Sequence, residues 1–437
     1  MAEDAVQGGL LRSSPQGSRN FWKLALRPLA AGAVAGMVLL SGCGDFFNPP
    51  ATSTGTTTTT TYAGDSLFVA NSNTLLNSVA DIEINSGVFS SPTTSPYVLN
   101  GGSPTALAIT PNNAFLYVAS GVLNTGIYEY ALNSDGSLTA ENSGAPQAVA
   151  TALVPSAIVV DPSGQWLIAF QSSGSTGGTT TANVFAIDSS TGALSNPTTG
   201  AEQVAIDTGS VGQVVFNPAS TLNAVGTVLY VTLGAHTGAT GTSGGVDILG
   251  FDPSTGALQL NGNLPPVDSA GAAAGVAIHP AGTYLFVTET GNITGTTGGG
   301  NGVRSLQIVS GGQLSLPEIG AYQTGQGAGA VLVDATGAYL YVANRADSTI
   351  SAFSISSTAG TLAQIGTAVS SVGSTPVAMV EDNSKTYIGV ACEGGSPDLQ
   401  LFTFDATTLG QLDASSSGSL STGSSSPAGA VAIVATH

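Results

Sequence analysis

From Asp65 onward short apolar runs alternate with turn formers, and the same order of pieces keeps returning. A run of small and β-branched residues, such as Ala106-Leu107-Ala108-Ile109 or Ala157-Ile158-Val159-Val160, reaches a turn. A second strand follows as Leu67-Phe68-Val69, Leu116-Tyr117-Val118, Leu167-Ile168-Ala169, Leu229-Tyr230-Val231, Leu285-Phe286-Val287, Leu340-Tyr341-Val342 and Tyr387-Ile388-Gly389, seven copies in all. A Gly/Ser/Thr loop, a third alternating strand and an exit turn complete the unit, and the last two pieces nearly repeat themselves in Ile187-Asp188-Ser189-Ser190-Thr191-Gly192-Ala193-Leu194 and Phe251-Asp252-Pro253-Ser254-Thr255-Gly256-Ala257-Leu258. The turns before the second strand, among them Thr110-Pro111-Asn112-Asn113, Asp161-Pro162-Ser163-Gly164 and His279-Pro280-Ala281-Gly282, are hairpin turns with a mechanism. Proline presets φ, and Asn or Gly tolerates a positive φ.

A repeat of about 50 residues holding four short strands fits a propeller blade, because solenoid coils use shorter units. The reading is therefore all-β: a seven-bladed β-propeller of four-stranded antiparallel blades over residues 65–437. The first unit opens at its second strand, whereas the chain ends on Ala428-Gly429-Ala430-Val431-Ala432-Ile433-Val434, which matches the innermost strand of the other units. The C-terminal strand is thus expected to join the first blade and seal the ring, removing an exposed edge. Composition agrees. Hydrophobic residues make up 42% and charged residues 8% of the chain, with 59 glycines, which disfavours helices and favours tight loops between strands.

The N-terminus has a different pattern. Arg12, Arg19, Lys23 and Arg27 precede an apolar run from Leu29 to Leu40, and Ser41-Gly42-Cys43 follows. A basic flank, a short apolar core and small residues make an export signal over residues 1–42; the run falls short of the ~20 residues a membrane-spanning helix needs. Leu40-Ser41-Gly42-Cys43 resembles the lipobox of bacterial lipoproteins. That resemblance implies lipidation of Cys43, a Thr-rich tether over residues 43–64, and a place in the cell envelope held to a bacterial membrane by the lipid. Beyond residue 42 three basic residues face 24 acidic ones, and so acidic a surface repels nucleic acid. With Cys43 lipidated, Cys392 has no intrachain partner and reads as a small buried hydrophobe. No histidine or cysteine spacing suits a metal, and no cofactor fingerprint is present. A monomer is expected.

Tyr341-Val342-Ala343-Asn344, the His279-Pro280-Ala281-Gly282 turn and the Asp-x-x-x-Gly-x-Leu exits resemble the lactonase-family seven-bladed propellers, which include 6-phosphogluconolactonase-like proteins. The resemblance is best between His279 and Phe353, and it implies that Glu289 and Arg345 belong to an active site. Relatives carry a His-rich segment entering the fourth blade's innermost strand, where this chain has Gly209-Ser210-Val211-Gly212-Gln213-Val214.

In a propeller, the exits of the second strands and the entries to the innermost strands open on one face. Gln171, His236, Glu289, Asn344, Arg345 and Glu393 lie at such exits, on consecutive blades. Glu289, Arg345 and His236 are the candidate catalytic residues: a carboxylate can activate water, an arginine can orient a carbonyl bidentately, and His236 can replace the absent histidine as base. Gln171, Asn344 and Glu393 are candidate ligand-binding residues. Glu289 and Arg345 would equally serve as an interblade ion pair. Arg304 is expected to pair with a nearby carboxylate, and His279 belongs to the opposite face. Two functions follow. One is hydrolysis of an unphosphorylated sugar lactone, since a phosphorylated one needs several cations. The other is a non-catalytic envelope scaffold whose long loops contact carbohydrate or protein.

Overall fold

In the computed structural model the described residues are 62–437 without 73–76, 122–123, 148–154, 172–179, 197–202, 208, 219–225, 235–244, 266–271, 292–300, 372 and 423–428. The predicted signal segment, the tether, Cys43 and His236 lie outside them. Seven antiparallel sheets form a seven-bladed β-propeller. From the first blade to the seventh, the innermost strands are Ala430–Ala435, Pro104–Ile109, Pro155–Val160, Val211–Phe216, Ala272–Ile278, Ala328–Val333 and Ser374–Glu381. Each packs against the next, and the last against the first, so the ring is closed. The outermost position of blades 1 and 3 is built from two short pieces rather than one strand.

The C-terminal strand completes the first blade as expected. Leu67, Phe68, Val69 and Ala70 pair antiparallel with Ala435, Val434, Ile433 and Ala432. Beyond the strand, Ser66 N donates to Thr436 Oγ1 at 3.0 Å, and Asn113 of the second blade exchanges hydrogen bonds of 2.9 and 3.0 Å with the backbone of His437. Sequence-distant ends thus share one sheet, which leaves neither with an unpaired inner edge.

The core lies between blades. Among the described residues seven hydrophobic clusters appear, one for each pair of adjacent blades. Each second strand is buried on both faces, which explains its continuous apolar run. The tyrosine of the Leu-Tyr-Val copies ties neighbouring blades together. The hydroxyls of Tyr117, Tyr230 and Tyr341 donate to the carbonyls of Gly192, Gly312 and Gly410 in the following blade, at 2.8, 2.8 and 3.0 Å. A buried phenol needs a partner, and the hairpin glycine supplies one.

The turns obey the chemistry read from the sequence. Asp161 accepts from Ser163 N, Gln165 N and Trp166 N at 3.0, 2.9 and 2.8 Å, and Gly164 takes a φ of 71° that a side chain would resist. His279 fills the aspartate's place with Nδ1 accepting from Ala281 N at 3.1 Å. It lies on the face opposite Glu289, as expected from its position before the second strand.

Candidate functional site: the mouth of the central channel

The second strands end on one face, and alignment of their exits separates two kinds of position. The first holds Asn71, Ser120, Gln171, Leu233, Glu289, Asn344 and Cys392, all of them buried. This is an internal slot. Asn344 shows its use: Nδ2 donates to Thr349 Oγ1 and Ser351 Oγ, each at 2.9 Å, across to the third strand of its own blade. Glu289 uses the same diagonal. Its Oε1 accepts from Arg304 Nη1 at 2.7 Å, and Arg304 faces Val287 just as Ser351 faces Val342. The same guanidinium reaches Glu318 at 3.5 Å and the carbonyl of Pro265 at 3.3 Å. With Arg304 3% and Glu289 1% exposed, the pair is inside the protein.

This corrects the expected meeting of Glu289 with Arg345. The two lie on adjacent blades at the same face, but alternation along the strand turns Glu289 inward toward Arg304 and the next residue outward. Arg304 pairs with a carboxylate, as expected. Gln171 and Asn344, expected to contact ligand, are both 0% exposed.

The second kind of position lies one residue on, at the rim. Here the sixth blade has Arg345 and the seventh Glu393, paired Nη2 to Oε2 at 3.2 Å with 50% and 56% of their side chains exposed. They border a cavity of about 480 Å³ at the channel mouth, whose lining includes Gly212, Gln213, Ala273 and Gly329. Arg345 is the one cation among its lining residues. The arginine stem lies over Gly329, where a Cβ would come within 2.9 Å of its Cδ. A larger residue at 329 would force the Arg345 stem to shift. Cys392, beside Glu393, is buried, with Sγ 3.8 Å from the Ser371 carbonyl and burial pushing its thiol up to about 11. It takes no part in the rim chemistry.

One lining residue was missed by sequence reasoning. Gln213 Oε1 accepts from Val276 N at 3.2 Å and from Val331 N at 3.1 Å, reaching from the fourth blade to the fifth and sixth. The equivalent inner-strand residues of the other blades are Ala106, Ala157, Gly275, Ala330, Ala378 and Ala432. A long polar side chain in a row of alanines was a signal available from the sequence. Among the described residues no group of three or more His, Cys, Asp or Glu is placed to hold a metal ion.

Solved structures share this fold. A Lactobacillus plantarum protein superposes with a TM-score of 0.63 at 17% identity, covering 85% of this chain and 100% of that one. A Bacteroides fragilis protein with a provisional 6-phosphogluconolactonase assignment gives 0.61 at 18% identity, covering 86% and 99%. The periplasmic gluconolactonase of Pseudomonas aeruginosa gives 0.61 at 16% identity, covering 85% and 99%. No curated protein matches the chain in sequence. Residues 313–422, the stretch that carries both Arg345 and Glu393, match the family model described as a lactonase, 7-bladed β-propeller.

Proposed function

We propose that this protein hydrolyses a small unphosphorylated lactone at the channel mouth, with Arg345 and Glu393 as the reacting pair. The observation that carries the reading is their half-exposed 3.2 Å contact on the cavity rim, inside the segment that matches the lactonase model. The Arg345 guanidinium donates to the lactone carbonyl and draws charge onto its oxygen. Glu393 takes a proton from water, whose oxygen bonds to the acyl carbon; the ring C–O bond then breaks, and the departing alkoxide receives the proton. Glu289, neutralised by Arg304 inside the blade, is assigned to structure. His236, outside the described residues, is kept as the candidate for a second base. A single lining cation favours a neutral or singly charged ligand over a phosphorylated one.

Export and attachment through Cys43 complete the proposal. The periplasmic location of the Pseudomonas aeruginosa neighbour supports export. Tyr62 and the C-terminal His437 are both held at the face opposite the cavity, where the Asn113 side chain donates to the backbone carbonyl of each.

The test is hydrolysis of glucono-1,5-lactone and aliphatic lactones by wild type, Arg345→Ala and Glu393→Gln. Each variant is expected to lower kcat/KM about 100-fold or more. Equal rates for all three proteins would remove the catalytic reading; binding without turnover by the wild type would establish a scaffold instead.

A further inference from the structure

Gln213 breaks the repeat, and its surroundings are shaped around it. The inner-strand position it occupies points toward the next blade, and the residue at that position in the next blade is Gly275. A Cβ on Gly275 would come within 2.6 Å of Gln213 Oε1. The glutamine therefore passes over the fifth blade only because that blade has a glycine there, and it reaches Val331 N in the sixth. Two backbone N–H groups fix the side-chain carbonyl, and with it the plane of the amide. Its own backbone is fixed as well, Gln213 N donating to Thr232 Oγ1 at 2.9 Å.

The other end of the amide is left available. Among the described residues no protein atom accepts from Nε2, and the side chain, half-buried, lines the same cavity as Arg345 and Glu393. A glutamine amide carries two donors on its nitrogen and accepts only at oxygen. Because Oε1 faces the two N–H groups, the choice between the two amide orientations is settled by chemistry, and Nε2 is the atom left to serve a ligand in the cavity that the side chain lines. A donor held in this way loses little freedom when a ligand binds.

We infer that Gln213 is a ligand-orienting residue of the channel mouth, whose Nε2–H donates to a carbonyl or carboxylate oxygen of the bound molecule. The inference rests on the reading of this cavity as the ligand site and adds the chemistry of what it takes: a small molecule with an sp² oxygen acceptor, held between the Arg345 guanidinium and the Gln213 amide. A lactone and the hydroxy acid it opens to share that acceptor. A polyol of the same size does not.

The experiment uses the purified protein with Gln213→Ala, Gln213→Glu and Arg345→Ala. Alanine is the residue that most other blades carry at this position, so Gln213→Ala is expected to fold with a thermal midpoint within a few degrees of wild type. Glutamate keeps an acceptor for Val276 N and Val331 N but cannot donate when ionised. Calorimetry with gluconate, with glucitol as the acceptor-free control, and KM for glucono-1,5-lactone are the readouts. Both Gln213 variants are expected to weaken gluconate and raise KM about tenfold, the loss of one hydrogen bond, while glucitol distinguishes none of the proteins. If Gln213→Ala binds gluconate as wild type does while Arg345→Ala is weakened, the cavity reading stands and the inference falls. If Gln213→Glu keeps full affinity, only the interblade brace matters and the inference falls again. If wild type binds neither gluconate nor lactone, the cavity reading itself fails and takes the inference with it.

Discussion

The chemistry of single residues here is governed by which side of a strand they leave from. Glu289 and Arg345 differ by one step in their registers, and that step separates a buried ion pair from an exposed one. The distinction can be measured. Glu289→Gln leaves Arg304 buried with, among the described residues, Glu318 at 3.5 Å as its remaining charged partner, and breaking a buried pair costs on the order of 3 kcal/mol. Thermal denaturation should show a midpoint lower by several degrees, with lactone affinity retained. An unchanged midpoint together with lost turnover would return Glu289 to the catalytic set. The slot comparison also explains why the sequence pointed to the wrong partner. Asn344, Gln171 and Glu289 look like rim residues by position, but their burial belongs to a position repeated in all seven blades, and no motif states that.

At the scale of the element, closure depends on the last strand. Ala430–Ala435 gives Ser66–Asn71 its inner neighbour, and its residues join clusters that face both the seventh and the second blade. Asp65, just before the first strand, ties the same junction by accepting from Asn383 N and Ser384 N of the seventh blade at 3.1 and 3.2 Å. Ending the chain after Gly429 would expose a continuous apolar strand edge and open two interblade cores, a known route to aggregation. Size-exclusion chromatography of that truncation should find no soluble monomer. A folded monomer with a native circular dichroism spectrum would show that the ring holds without its seal.

For the whole molecule the pH profile reflects an acidic chain of net charge −19 with several buried carboxyls. Asp81 is 0% exposed, and the Ser66 hydroxyl offsets only part of the cost of burying its charge. Burial, then repulsion from Glu83, pushes it up to about 7. Asp65 is raised to about 6 by burial and by Asp382, and Asp247 to about 6 by burial. For a raised carboxyl the stabilising contribution is full below the ordinary value near 4 and is lost as pH climbs toward 7, because the unfolded chain ionises first. Asp188 has the opposite sign. Hydroxyl and amide donors from Ser190 and Thr191 hold it at about 2, so its contribution disappears only in acid, as pH falls from about 4 to 2. Stability should therefore peak near pH 4 to 5, and the thermal midpoint should be higher at pH 5 than at pH 8. Asp81→Asn should raise the midpoint at pH 8 more than at pH 5, by a free energy on the order of 3 kcal/mol for a shift of this size. Equal gains at both values would mean Asp81 is ionised at little cost.

Repeat number, strand order, the hairpin turns and the joining of tail to head could all be read from the chain, because each is written locally. Apolar second strands recur seven times, turns such as Asp161-Pro162-Ser163-Gly164 and His279-Pro280-Ala281-Gly282 vary one theme, and Tyr-Val returns in three of those strands; a consistent message survives an error in any one copy. The contacts that make the site were not legible in that way. Whether Glu289 meets Arg304 or Arg345, and whether Gln213 stays in its own blade or crosses two others, depends on strand alternation, interblade spacing and the room left by Gly275 and Gly329. Those are properties of packed neighbours far apart in sequence, and they exist only once the ring has closed.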